Sequence, residues 1–266
     1  MQKDTILPGN KWALILGGSK GLGLATAKKL SKHGYSVCIV HRDRKTDLPD
    51  IQKEFETLKT STSGFLAFNI DAINAQKREE ALFDIKKVLG ENGRIKILVH
   101  SIAKGNLKPM LAADGRVLSP QDIEITFNAM ALSLYEWVQD IVKAKLFAPD
   151  MRIISFTSEG NTRALPGYGA VSVAKVALEA LTRNMAVELA PLGIKANCIQ
   201  AGVTETASFA MIPNSDRIRE HARKRNPNNR LTTPEDVANV VYLMTMDEAQ
   251  WITGTTLKVD GGESLR

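Results

Sequence analysis

The sequence is poor in the residues that build disulfide frameworks and metal centres. It has two cysteines and four histidines among 266 residues. Cys38 and Cys198 each sit inside an apolar, strand-like run (VCIV and NCI), which suits buried small hydrophobes in a reducing cytoplasm and matches neither metal-ligand nor redox spacing. The histidines are scattered, so no metal site is expected. No apolar run approaches the ~18 residues needed to span a bilayer, which argues against a membrane protein. The first stretch, MQKDTILPGN, puts charge and Pro8-Gly9 ahead of a short apolar run and does not read as a signal peptide. Aromatic residues make up only 6% and do not interleave with the basic ones, so the net charge of +6 points to an anionic cofactor or an acidic partner before nucleic acid.

What is present is alternation. Apolar strand-length runs at 12–16, 36–40, 64–68, 95–100, 152–156, 194–200 and 256–259 are separated by helix-length runs, among them 22–33, 74–89, 120–145 and 233–244. Nearly continuous hydrophobic strands joined by helical crossovers predict a parallel sheet covered on both faces. The expected fold is α/β: a doubly wound, Rossmann-type sheet of seven strands in a single domain spanning 1–266, with no internal repeat or linker. Ile123, Phe127, Met130, Leu134, Trp137 and Ile141 form a stripe of helical period, expected in the core or at a subunit interface.

In such a fold, ligands bind at the carboxyl ends of the strands. The first strand runs directly into Gly17-Gly18-Ser19-Lys20-Gly21-Leu22-Gly23, where glycines allow a tight turn and close approach of a pyrophosphate to a helix N-terminus. Arg42 follows the second strand, and Lys20 projects from the glycine turn toward the same region. Cations there favour NADPH, whose 2′-phosphate they would bind, over NADH, which calls for an acid. Arg44 and Lys45 also fit ordinary surface charges, and Asp43 enters the balance if the strand runs further. Asn69-Ile70 ends the third strand, where the adenine would lie. The fourth ends at His100-Ser101-Ile102-Ala103, with His100 read more readily as a packed strand-end residue than as a general base.

The richest stretch is 155–188. Pro166-Gly167 closes a loop, and an unbroken helical run follows. Tyr168 and Lys175 are seven residues apart; at about 100° per residue they share one helix face, nearly two turns apart. An ammonium near a phenol favours its ionised form and makes it a better proton donor.

Together these parts resemble the short-chain dehydrogenase/reductase family over essentially the whole chain. The matching residues are Gly17-x3-Gly21-x-Gly23, Asn69-Ile70, the Ser158/Tyr168/Lys175 group, Asn197 with Ala201-Gly202, and Val259-Asp260-Gly261-Gly262. Within the family the chain looks most like the NADPH-dependent enoyl-acyl-carrier-protein reductases of bacterial fatty-acid synthesis. Tyr168 and Lys175 are separated by six residues where ketone-reducing members have three, and Ser172 stands at the x3 position. Ser101-Ile102-Ala103 resembles the enoyl reductases' Ser-Ile-Ala/Gly element, and Met130 falls where ketone-reducing members carry a catalytic Asn. Two features depart from that subgroup: the glycine turn is of the ordinary family type, and Ser158 replaces a second Tyr.

The resemblance implies that Tyr168, Lys175 and Ser158 are catalytic. It also implies that Gly202-Val203-Thr204-Glu205-Thr206 touches the nicotinamide carboxamide, with Thr206 as the side-chain contact. With Lys175 on the ribose, three extra helical residues displace the tyrosine by about 4.5 Å, toward the more distant oxygen of an enoyl thioester. The stretch from about 201 to 230 then reads as a substrate-binding loop whose apolar residues (Phe209, Met211, Ile212, Pro213) suit an acyl chain. Five cations within 217–225 suit an acidic acyl carrier protein as donor of the acyl thioester. A homotetramer is implied as well. The competing functions are a carbonyl, 3-oxoacyl or alcohol oxidoreductase of the same family and a non-catalytic nucleotide-sensing regulator.

Overall fold

The strand-length apolar runs assemble into one seven-stranded, all-parallel sheet in the order β3-β2-β1-β4-β5-β6-β7. The computed structural model describes residues 11–212 and 214–266; the reading of residues 1–10 and the place of Pro213 lie outside them. The strands are β1 Lys11–Leu16, β2 Ser36–His41, β3 Phe65–Asn69, β4 Arg94–His100, β5 Phe147–Ser158, β6 Lys195–Ala201 and β7 Thr256–Val259. Both faces are covered, so side chains of both parities are apolar. Leu14, Leu16, Leu98 and Ile153 point into one core layer, and Ala13, Ile15, Val99 and Ile154 into the other.

The first layer is closed by α3 (Ala75–Leu89), α5 (Ser133–Lys143) and α6 (Gly169–Glu188), the second by α1 (Gly21–Lys32), α2 (Leu48–Ser61) and α9 (Pro234–Leu243). The strand order reverses between β1 and β4, and the crevice opens at that switch point.

The helix expected over 120–145 is not continuous. It begins as α4 (Pro120–Phe127) with a Ser119/Asp122 capping box, passes through a π-turn at Asn128–Leu132, and resumes as α5. In the π-turn the Ser133 N–H reaches back to Asn128 O, five residues away. The extra residue turns Asn128 to solvent and sets Met130 inward. Trp137, fully buried, ties α5 to the end of β3 through an indole N–H bond to Ala72 O. Among the described residues no helix is long and apolar enough to cross a membrane, and no group of three His, Cys, Asp or Glu residues is placed to hold a metal. Both cysteines are free and buried.

Candidate active site

The glycine turn after β1 is fixed by close approach. Gly17 and Gly21 have φ of 84° and 54°, values costly for any residue with a Cβ. A Cβ on Gly17 would overlap the Ser101 carbonyl, and one on Gly23 would overlap the Gly17 carbonyl. Lys20 occupies the N-cap of α1 without a side-chain cap, and the first turn holds no acid. The exposed N–H groups and the helix dipole there fit a dinucleotide pyrophosphate.

At the end of β2, both cations expected to favour NADPH are paired with carboxylates. The strand runs one residue further, to His41, and Asp43 folds back beneath the glycine turn. Burial would raise the Asp43 carboxyl, but hydrogen bonds from Ser19, His41 and Lys20 outweigh it and hold the group below its usual range. Lys20 Nζ lies 3.0 Å from Asp43 and 2.6 Å from Asp47, and Arg42 lies 2.6 Å from Asp71. The Asn69 amide is also engaged: it accepts from Asp43 N–H at 3.0 Å and donates to Asp43 O at 3.2 Å. Asn69 therefore pins the segment after β2, and Ile70 N–H bonds His41 O beside it at 2.8 Å.

Next to this corner lies a cavity of about 1250 Å³. Leu22, Ser101, Ile102 and Ala103 line one side; Ser158, Tyr168 and Lys175 line another; Gly202, Val203, Thr204 and Thr206 line a third. Gly17, Ser19, Lys20, Gly21, Gly23, Arg42, Asn69 and Ile70 stand outside that lining. Gly17 joins it through Ser101, and Gly21 approaches the Thr206 methyl.

Tyr168 is the residue before α6 and lies in its first approach to the cavity. Its hydroxyl is 3.4 Å from Ser158 Oγ. A Cβ on Gly160 would overlap the tyrosine ring, so this glycine is what lets the ring sit there. Lys175, buried nearly two helical turns further along, donates from Nζ to Phe156 O at 2.5 Å. Against the expected help from the ammonium, the net shift of the phenol is upward. Burial raises the Tyr168 pKa, Ser158 only partly offsets it, and the phenol stays protonated at neutral pH. Burial also lowers Lys175 to about 8, against the opposing influence of Cys198 and Glu179. Met130 forms apolar wall beside them, so no amide enters the cavity from the π-turn.

The stretch 201–230 is more ordered than its pattern suggests. It contains α7 (Ala207–Ala210), capped by Thr206 Oγ1, and α8 (Ser215–Arg225). Phe209, Met211 and Ile212 line the cavity, with Leu107 and Val171 opposite. The basic run is not a uniform solvated face. Arg225 is buried and bonds Glu159 at 2.6 Å and the Glu263 carbonyl at 3.0 Å, whereas Arg217, Arg223 and Lys224 remain exposed.

The family model described as Enoyl-(Acyl carrier protein) reductase matches residues 17–264. The chain belongs to the short-chain dehydrogenase/reductase family. Among relatives of this short-chain dehydrogenase/reductase, the 3-oxoacyl-[acyl-carrier-protein] reductase of Staphylococcus epidermidis is 27% identical, over 95% of this chain and 98% of that protein. The 1-cyclohexenylcarbonyl-CoA reductase of Streptomyces collinus is 30% identical, over 95% of this chain and 86% of that protein. A short chain dehydrogenase from Burkholderia cenocepacia, solved in complex with NADP, superposes with a TM-score of 0.81 at 26% identity, covering 97% of this chain and 99% of the other.

Two features of this short-chain dehydrogenase/reductase escape a reading of its sequence, whereas Asp43 carried a signal there, since one further strand residue brings it to the ligand edge. The Glu159–Arg225–Glu263 contact joins residues 66 and 38 positions apart and leaves no local pattern. Gly160 looks like any loop glycine until the tyrosine ring is placed against it.

Proposed function

We propose that this chain is an NADPH-dependent reductase of enoyl thioesters, delivering hydride to the β-carbon of an acyl group carried on acyl carrier protein. The observation that carries the proposal is the wall of the cavity. Tyr168 and Ser158 turn two hydroxyls toward one point, Lys175 lies buried beyond them, and Met130, Phe209, Met211 and Ile212 supply an apolar stretch of the lining, with charged groups such as Glu159, Arg163 and Arg217 elsewhere in it. Bound here, the dihydronicotinamide supplies the hydride. Lys175 holds the ribose hydroxyls, while Gly202 to Thr206 hold the carboxamide. Tyr168, protonated at neutral pH, donates to the thioester oxygen as negative charge gathers there, and Ser158 supports it. Phe209 and Ile212 exclude water from the acyl chain. The name of the Streptomyces collinus relative supports a reducible unsaturated acyl thioester, and the NADP complex supports the phosphorylated cofactor.

A second reading, reduction of a 3-oxoacyl thioester, is favoured by the Ser158–Tyr168 pair, since two converging hydroxyls suit a ketone oxygen equally well. Its support among relatives is the Staphylococcus epidermidis reductase. NADPH oxidation with crotonyl and acetoacetyl thioesters, measured side by side, separates the two. The expected result is turnover of crotonyl thioester alone, reduced ~10²–10³-fold in Tyr168→Phe with little change in cofactor affinity. Turnover of acetoacetyl thioester alone establishes the second reading.

A further inference from the structure

His100 is the last residue of β4 and is 1% exposed. It follows Leu98 by two positions and so points to the layer closed by α5 and α6. Its register partner on β5 is Ser155, whose partner on β6 is Cys198. These three side chains form a polar row across the top of an otherwise apolar layer, at the level of the Phe156 carbonyl that holds Lys175.

The hydrogen bonds around His100 fix its tautomer. The π-turn sends the Ser133 N–H to Asn128 O and leaves the Ala129 carbonyl without its usual helical donor. Ser133 Oγ fills that place, donating its one proton to Ala129 O at 2.8 Å. The hydroxyl then has only lone pairs for His100, whose Nε2 lies 2.8 Å away and must be the donor. Nδ1 is therefore a bare acceptor, and it is buried without a partner. An orphaned acceptor in a sealed site is costly unless a donor reaches it. A surplus donor at this level of the sheet is the Lys175 ammonium, which uses one N–H on Phe156 O and whose charge acts on the imidazole.

We propose that His100 is a positioning residue for Lys175: its Nδ1 lone pair accepts from a buried water that also accepts from the Lys175 ammonium, so that the lysine's remaining N–H is directed at the cofactor ribose. The proposal rests on Lys175 holding the cofactor and not on which thioester is reduced. The charged and titratable groups around the ammonium are Glu179 on its own helix, Cys198 on β6 and His100 on β4, with the Tyr168 phenol at the start of α6. Burial and the lysine charge hold the imidazole near 3, so His100 stays neutral and acts as an acceptor throughout the working range.

The sign follows. A neutral acceptor stabilises the ammonium, so cofactor affinity is full below the Lys175 pKa of about 8 and falls as pH rises through it. Removing the acceptor moves that midpoint down.

Two measurements on the intact protein test this. In 15N-labelled protein without cofactor, His100 should show the Nε2–H tautomer, and its Nδ1 shift should move with a midpoint near that of Lys175. NADPH dissociation constants from pH 6 to 10 should rise about fivefold at pH 8 and about tenfold by pH 10 in His100→Leu, with the midpoint lowered by about one unit, and His100→Asn should recover most of the loss. An Nδ1–H tautomer overturns the proposal. So does a wild-type midpoint in a His100→Leu protein that melts normally. Where His100→Leu does not fold, the wild-type tautomer and its titration decide alone. Neither readout involves the acyl substrate, so failure of the crotonyl assay and failure of this proposal remain distinguishable.

Discussion

At the scale of single residues, cofactor choice turns on one carboxylate. Asp43 stands below the glycine turn with Ser19, His41 and Lys20 around it, and a 2′-phosphate would have to draw Lys20 away from Asp43 and Asp47. Exchange of carboxylate for phosphate keeps a charge-assisted bond on each cation. Lys20→Ala and Arg42→Ala should therefore weaken NADPH ~10–100-fold and leave NADH nearly unchanged, each lost charged bond amounting to about 1.5–3 kcal/mol. Asp43→Asn releases Lys20 and should strengthen NADPH. Dissociation constants for both cofactors check this. A fall in NADH affinity on Asp43→Asn, with no gain for NADPH, would make Asp43 the ribose ligand and NADH the cofactor. The sequence pattern exposed the cations and left Asp43 in the balance, because a one-residue change in strand length decides which side chain turns inward.

At the scale of elements, the seven strands were legible because buried parallel strands are apolar on both faces. Elements that owe their form to distant contacts were not. The π-turn at Asn128–Leu132 has the periodicity of a helix, since one inserted residue hardly disturbs an apolar stripe. The lid helix α8 carries five Arg or Lys and few apolar residues, so its sequence reads as irregular. Its C-terminal end is tied down by Arg225, which meets Glu159 and Glu263; burial raises the Glu263 carboxyl, opposed by the Val203 N–H and by Arg225 itself. The Val203 N–H bonds Glu263 at 3.0 Å, so this latch also sets the segment proposed to hold the carboxamide. Arg225→Ala leaves the buried Glu263 carboxylate without its cation, with only the Val203 N–H on it, and should cost about 3 kcal/mol of stability, together with a raised KM for both cofactor and acyl substrate. Arg217→Ala and Arg223→Ala, on the exposed face, should leave the melting temperature unchanged and raise KM only for a carrier-protein substrate, increasingly so at low salt. Melting curves with KM values for carrier-linked and coenzyme A thioesters separate the latch from the docking face.

At the scale of the molecule, two of the apolar patches exposed among the described residues bear on assembly. One lies on α6, where Val173 and Val176 are about half exposed and share a face, with Ile125 and Tyr135 exposed on neighbouring α4 and α5. The other follows α9, where Leu243 and Met246 precede a 94% exposed Trp251 and the adjoining Ile252. A dimer formed across a two-fold axis covers one such patch on each chain; two separate patches require two axes, and a closed assembly with two perpendicular axes is a tetramer. The homotetramer is therefore the assembly we expect, with α6 pairing about one axis and the α9 side about the other. Val173→Glu with Val176→Glu puts like charges against each other across the first axis, and Trp251→Glu does the same across the second. Sedimentation at micromolar concentration should give a tetramer for the parent chain and dimers for each variant. The combined variant should run as a monomer. A monomeric parent chain rejects the assembly, and a dimeric one shows that only one of the two patches is an interface.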